Sequence, residues 1–145
     1  MRIAGVDYSM TSPAVCTHIG EKWDLDNCRF YFLTKTKRLA CKHLNGSIQG
    51  SLLKEHKCQE ERFDLISHWA MKRMMAFDHV LLEGYAFAAT GRVFDVAENT
   101  GLLKYKLWGS GTKFGTVTPP QVKKFATGSG AATKDKMHDA WVSET

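Results

Sequence analysis

Two short apolar runs, each ending at an acid, constrain the fold of this chain most strongly. The first run spans Arg2 to Asp7 and the second spans Asp78 to Glu83. Both are too short for a helix, so they predict buried strands, and the second strand is expected to lie parallel to the first. Since parallel strands end at the same edge of a sheet, this pattern would bring Asp7 and Glu83 together.

The rest of the pattern predicts an α/β fold with a mixed five-stranded sheet flanked by helices. Further strands are expected at 14–19, 29–34 and 114–117, so that the first three strands form a meander. Residues 35–59 lack clear periodicity and are expected to form a long connection. From Gln59 onward, apolar residues at three- and four-residue spacing predict a helix: Phe63, Ile66, Ala70, Met74 and Phe77, with Met71 and Met75 widening the stripe.

Three more helices are expected in the second half of the chain. One spans 92–108, where Gly101 indicates close packing against the sheet. Thr118 followed by Pro119-Pro120 is typical of a helix start, because threonine caps the first turn and proline fits within it. A last helix is predicted over 134–142.

Composition and charge narrow the class of protein. A chain of 145 residues with 43 % hydrophobic and 24 % charged residues is typical of one globular domain, so residues 1–145 are expected to form a single domain. Lys and Arg outnumber Asp and Glu by 20 to 15. Part of the excess lies in one basic segment, which contains Lys104, Lys106, Lys113, Lys123, Lys124, Lys134 and Lys136. Such a segment suits a polyanion, although a solvated basic face remains the alternative.

Membrane, secreted and zinc-binding classes are disfavoured. No apolar run is long enough to cross a membrane, and the N-terminus has no apolar secretion signal. The four cysteines form no C-x-x-C pair, which indicates a reducing, cytoplasmic setting. Cys41, His43, His56 and Cys58 are spaced too tightly for an ordinary structural zinc site, so free thiols are expected.

Three motifs follow one another in a specific order. They are Ile3-Ala-Gly-Val-Asp7-Tyr-Ser9, then Val80-Leu-Leu-Glu83-Gly-Tyr-Ala-Phe87, then Thr118-Pro-Pro-Gln-Val-Lys-Lys124 with Thr127-Gly-Ser-Gly130 and Ala132-Thr-Lys-Asp-Lys136-Met137. Over nearly the whole chain, this set resembles the RuvC family of Holliday junction resolvases, which are RNase H-like nucleases. The resemblance implies an RNase H-like fold and a divalent-metal-dependent endodeoxyribonuclease that resolves four-way DNA junctions by paired symmetric nicking.

The resemblance also implies a catalytic metal site. Asp7 and Glu83 would hold Mg²⁺ or Mn²⁺, hard cations that prefer oxygen ligands. Taken alone, each acid would more readily fit a turn hydrogen bond at a strand end, and it is the ordered set of motifs that favours the metal site. The family completes its site with D-x-x-D-A on a final helix, a pattern that this sequence lacks. Asp139 is the substitute candidate as catalytic residue and metal ligand, but we favour a final helix C-terminal to Thr145 that carries the remaining acids.

DNA contacts follow from the third motif and from the loop after Glu83. The resemblance implies phosphate contacts through four lysines and base stacking through two aromatic residues: Lys123, Lys124, Lys134, Lys136, Tyr85 and Phe87. The alternatives are ordinary solvated lysines and aromatic packing on the neighbouring helix. His138 is a further candidate for a general acid or base.

Paired cuts across a two-fold junction imply a homodimer, because each cut requires its own site. The helix after Glu83 is the expected interface, with Val93, Phe94 and Leu103 as the apolar seam, although these residues could also face the sheet. A bacterial cell or a phage-infected host would suit such an enzyme. Two alternatives stay open: another RNase H-like nuclease that cuts RNA·DNA hybrids or flaps, and a non-catalytic module that binds branched DNA.

Overall fold

The computed structural model describes residues 1–84 and 93–144, and within these ranges the chain forms seven strands and four helices. The strands are β1 (Arg2–Asp7), β2 (Ala14–Ile19), β3 (Cys28–Thr34), β4 (Lys42–His43), β5 (Ile48–Leu52), β6 (His79–Glu83) and β7 (Phe114–Val117). The helices are α1 (Gln59–Met74), α2 (Val93–Gly109), α3 (Pro119–Thr127) and α4 (Lys134–Glu144). No helix in this described part of the chain is long and apolar enough to cross a membrane.

All of these strands belong to one mixed sheet in the order β4-β5-β3-β2-β1-β6-β7. The first three strands form the predicted antiparallel meander. Strands β1, β6 and β7 are mutually parallel neighbours, so their carboxyl ends meet at one edge of the sheet. The predicted α/β class and the parallel pairing of the two acid-ending strands are confirmed.

The sheet is wider than the five strands expected from the sequence. Residues 35–59 contain β4 and β5, and β5 pairs in parallel with β3. The sequence of β5 has little apolar alternation, which hid it. Its position depends on Gly50, since a Cβ at that residue would lie 1.9 Å from the carbonyl oxygen of Leu39. A strand that packs this closely depends on a missing side chain rather than on a hydrophobic pattern.

One face of the sheet carries the hydrophobic core beneath α1 and α2. Its fully buried side chains come from both layers: Ile66, Ala70 and Met74 of α1, Val80 and Leu82 of β6, and Leu103 and Leu107 of α2. Met75, expected to widen the apolar stripe of α1, is 60 % exposed. Gly101 was expected to pack against the sheet but lies on the solvent side of α2, where an added Cβ would meet nothing within 4 Å.

The later helices, α3 and α4, pack mainly against each other and contain no buried residue. Helix α3 begins as predicted. The Thr118 side chain accepts from the Gln121 backbone N–H, the Gln121 side chain accepts from the Thr118 backbone N–H, and Pro119 occupies the first turn. The helix ends at Gly128, whose φ of 77° is the left-handed conformation that glycine adopts without strain.

Candidate active site

Asp7 and Glu83 lie side by side at the carboxyl edge of the sheet. Each is the last residue of its strand, and the parallel register pairs Val6 with Leu82 directly before them. Because side chains alternate along a strand, burial of Val6 and Leu82 turns the two acids away from the α1–α2 core. The convergence of the two strand-end acids expected from the sequence is thus present in the fold.

The two carboxylates open onto a cavity of about 430 Å³. Its wall combines the strand ends, the loop after β1 and one side of α1 and α2: Asp7, Tyr8, Ser9, Met10, Thr11, Arg62, Glu83, Gly84, Val96 and Thr100. The acids therefore share one space with hydroxyl groups and an arginine, and a substrate group entering it would reach both carboxylates.

Burial and mutual repulsion both act on the ionisation of the two carboxylates. Removal of water by the surrounding protein raises the pKa of Asp7 above its ordinary value. The pKa of Glu83 is also raised, first by burial and second by repulsion from Asp7, while the Lys123 ammonium partly offsets both effects. Two desolvated carboxylates that repel each other disfavour their own ionisation, and a cation between them would relieve this cost.

A buried hydrogen bond links the residue that follows Asp7 to helix α2. The Tyr8 hydroxyl donates to Asn99 Oδ1 at 3.2 Å, and both residues are at least 95 % buried. This bond ties the chain directly after Asp7 to α2. Burial raises the pKa of Tyr8 well above its usual range, so its hydroxyl stays protonated and remains a donor.

Arg62, on α1, is the residue of this site that the sequence interpretation missed. Its Nη2 donates to the Met10 carbonyl oxygen at 2.5 Å, which directs the side chain toward the loop that follows Asp7. No local signal marks this arginine, because a charged residue near the start of an amphipathic helix is ordinarily solvated. Only the approach of α1 to the end of β1 reveals its position.

The structure does not bring Asp139 to the two acids. Its side chain is 81 % exposed and lies beside His138, with 3.8 Å between Oδ1 and the histidine Nδ1. The position of α4 explains this, because the Trp141 ring contacts the Phe30 ring of β3, two strands away from β1. Neither Asp139 nor His138 lines the cavity that contains Asp7.

The predicted DNA-contact residues differ in their placement. Lys123 is half-buried and acts electrostatically on Glu83, which places it at the site. The other three lysines are exposed on α3 and on the first turn of α4: Lys124, Lys134 and Lys136. Tyr85 and Phe87 lie outside the described residues.

Two side chains of the site could bind a hard divalent cation. Asp7 and Glu83 supply carboxylate oxygens, which Mg²⁺ and Mn²⁺ prefer. Among the described residues, no three His, Cys, Asp or Glu side chains are grouped closely enough to hold a metal ion. The pair fits a cation whose remaining ligands are water and substrate oxygens, an arrangement usual for Mg²⁺.

Comparison with solved structures identifies the fold. RuvC from Thermus thermophilus matches with a TM-score of 0.63 and 16 % sequence identity, covering 94 % of this chain and 75 % of that chain. T. thermophilus RuvC in complex with a Holliday junction substrate matches with a TM-score of 0.65 and 18 % identity, covering 97 % and 76 %. No protein-family model and no curated protein matches the sequence. The chain therefore has the RuvC-type RNase H-like fold.

Proposed function

We propose that this protein is a divalent-metal-dependent endonuclease that cuts branched DNA, with Asp7 and Glu83 as the residues that hold the metal. The observation that carries the proposal is the adjacency of these two desolvated carboxylates at the edge of a RuvC-type sheet. A strand-end acid that only closes a turn would not need a second carboxylate facing the same cavity.

Mg²⁺ or Mn²⁺ bound there would supply activation of water and stabilisation of the leaving oxygen in phosphodiester cleavage. The protein contributes the remaining functions. Asp7 and Glu83 provide oxygen ligands on two rigid neighbouring strands, which fixes their separation. Lys123 places a positive charge beside Glu83, where a backbone phosphate would bind.

Branched DNA is the proposed substrate because both the exposed lysines and the RuvC-type fold favour it. The exposed lysines of α3 and α4, the last two helices of the described chain, present positive charge to a polyanion. Lys106, a lysine of the same basic segment, lies on α2 and is paired within the protein, since its Nζ is 2.7 Å from Asp64 Oδ1. The structurally similar RuvC in complex with a Holliday junction substrate makes a four-way junction the first substrate to test.

The same proposal includes a homodimer, and α2 provides the interface. An exposed stripe follows this helix at alternating spacings of four and three residues: Phe94, Glu98, Gly101, Tyr105 and Trp108. Phe94, Tyr105 and Trp108 are 82 %, 66 % and 71 % exposed. This spacing is the repeat by which two helices pack along a common seam, and Gly101 would allow close approach. Leu103, for which both the seam and the sheet were open, lies in the core.

Sedimentation velocity tests the interface. The wild-type chain is expected to sediment as a dimer, and Tyr105→Ser with Trp108→Ser is expected to sediment as a monomer, because the apolar area of the seam is lost. Ile19→Ser removes an exposed apolar side chain from the end of β2 rather than from α2 and serves as the control. A wild-type monomer, or a variant that remains dimeric, would contradict the α2 interface.

A second candidate function is a non-catalytic module that binds branched DNA. It is favoured by one observation, the absence of a third metal-binding side chain beside Asp7 and Glu83 among residues 1–84 and 93–144. Such a module would bind junctions through its lysines without metal-dependent cutting.

Cleavage of end-labelled substrates distinguishes these functions. Wild-type protein is incubated with a four-way junction, a linear duplex and an RNA·DNA hybrid in Mg²⁺ or Mn²⁺, beside Asp7→Asn and the control Glu21→Gln. Glu21 lies in the turn after β2, at the opposite edge of the sheet. Paired nicks in the junction that are lost only in Asp7→Asn support the proposal. Cutting of the hybrid indicates another RNase H-like nuclease, and tight junction binding without cutting indicates the binding module.

A further inference from the structure

Arg62 occupies a fixed position in the cavity of the two acids. It lies in the second turn of α1, is half-buried, and lines the same 430 Å³ space as Asp7 and Glu83. The bond from Nη2 to the Met10 carbonyl oxygen anchors one end of the guanidinium. The rest of the planar group retains donors for a further partner.

Among the described residues, no acid forms an ion pair with Arg62. Within residues 1–84 and 93–144, the ion pairs are Arg2–Asp78, Asp64 with His68 and with Lys106, and His138–Asp139. The acids on the same helix have other partners. Glu61 accepts from the Lys57 backbone N–H at 2.6 Å, and hydrogen bonds near the start of α1 lower the pKa of Glu60.

One donor of Arg62 is unsatisfied as far as the described residues go. Its Nε is buried and has no hydrogen-bond partner in the described part of the chain. A buried donor without a partner costs about 1–3 kcal/mol, so an acceptor that enters with the substrate would recover part of this cost. An unneutralised guanidinium in a cavity built around carboxylates indicates an anionic ligand that the acids themselves cannot bind.

We propose that Arg62 binds the non-bridging oxygens of the phosphodiester that enters the cavity between Asp7 and Glu83. The inference rests on the proposed nuclease function and adds the group that positions the phosphate. A guanidinium presents parallel N–H donors that match two phosphate oxygens, whereas an ammonium presents a point charge. Arg62 thus holds the phosphate from the α1 side of the cavity.

The bond to Met10 gives Arg62 a structural role as well, so the test must separate the two. Arg62→Lys keeps the positive charge but loses the planar guanidinium with its parallel N–H donors. Arg29→Lys is the matched control, because Arg29 Nη1 also donates to backbone carbonyls, at 2.6 and 2.9 Å, but lines a different cavity beneath Trp141. Thermal unfolding of both variants measures the structural effect alone.

The direct readout is the ¹⁵N-detected Nε–Hε resonance of Arg62, assigned by its loss in Arg62→Lys. The probe is the dinucleotide TpT, a minimal phosphodiester, titrated with and without Mg²⁺. We expect the Arg62 resonance to shift on titration, and Arg62→Lys to weaken TpT binding about tenfold, as expected for loss of one charge-assisted hydrogen bond. Arg29→Lys should bind TpT like the wild type.

An unchanged Arg62 resonance at saturating TpT, or equal TpT binding by wild type and Arg62→Lys, would overturn the inference. So would a failure of TpT to bind at all. This readout needs no cleavage, so it remains decisive if the protein proves to be a binding module. Where the wild type does cut junctions, Arg62→Lys should also lower kcat/KM, because a contact made to the bound phosphate is lost, while Arg29→Lys leaves kcat/KM unchanged.

Discussion

The two faces of the central sheet are packed very differently. The face beneath α1 and α2 is closed, and its apolar side chains from β1, β6 and both helices are buried. On the other side, α3 and α4 contribute no buried residue, and Phe125 of α3 is 92 % exposed. The two acids are the last residues of β1 and β6, and their side chains point away from the closed face. Stability thus comes mainly from one face, and the proposed chemistry lies at the edge of the other.

This difference makes neighbouring residues of one strand unequal. In β6, Leu82 is fully buried in the core, whereas Leu81 is 52 % exposed and lines a cavity with Glu83 and Val122. Alternate side chains of a strand point to opposite faces of the sheet, so the consecutive leucines Leu81 and Leu82 lie on the open face and the closed face, respectively. The comparison can therefore be tested within a single strand.

The largest expected effect is on the closed face. Leu82→Ala should lower the free energy of unfolding by about 3–5 kcal/mol, because it removes a fully buried side chain and leaves a cavity. Leu81→Ala should lower it by less than about 1 kcal/mol. Urea denaturation measures both variants. Equal losses would show that α3 and α4 close the second face as tightly as α1 and α2 close the first.

A smaller effect is expected where the site rests on the core. Tyr8→Phe should lower the free energy of unfolding by about 1–2 kcal/mol, since Asn99 loses the only hydrogen bond described for its side chain and remains fully buried. Tyr31→Phe, on the half-buried ring of β3, is the control and should be nearly neutral. If Tyr8→Phe is equally neutral, the buried pair does not anchor the strand end to α2.

On the open face, substitutions should change DNA binding rather than stability. Lys123→Gln with Lys124→Gln should weaken junction binding by roughly tenfold at moderate salt and reduce the salt dependence by about two ion equivalents. Lys22→Gln, in the exposed turn after β2, should leave both unchanged. Fluorescence anisotropy across a salt series measures the slope. An unchanged slope in the double variant would remove α3 from the DNA-binding surface.

The smallest effect concerns the acids themselves in metal-free buffer. The folded-state pKa of Glu83 lies above its ordinary value of 4.5, so the stability of the wild type falls as the pH rises from that value through the higher folded pKa. Glu83→Gln does not titrate. The variant should therefore gain on the wild type between acid and neutral pH and be the more stable of the two at neutral pH. Glu21→Gln should show no such pH-dependent gain, and a Glu83→Gln variant less stable than wild type at neutral pH would refute the desolvated pair.

The sequence predicted those elements whose signals are local. The apolar runs that end at Asp7 and Glu83 identified β1 and β6, and the Thr118 cap identified the start of α3. Strand β5 was missed because Gly50 fits against Leu39 through the absence of a side chain.

Which side of a helix faces the sheet was also beyond the sequence. On α2, Leu103 took the sheet-facing alternative and lies in the core, whereas Gly101, expected to pack against the sheet, faces solvent. Arg62 joins the site only because α1 passes the end of β1, a contact that spans more than fifty residues of chain. Tertiary approach of this kind leaves no periodic signal for sequence reasoning to detect.

The central claim is that Asp7 and Glu83 together form the metal site. Electron paramagnetic resonance of free Mn²⁺ tests it directly, because bound Mn²⁺ loses the free-ion signal whether or not DNA is cut. The account predicts that the wild type and Asp139→Asn bind Mn²⁺ alike, and that Asp7→Asn and Glu83→Gln each bind it much more weakly. Undiminished Mn²⁺ binding in Asp7→Asn or Glu83→Gln would contradict the account.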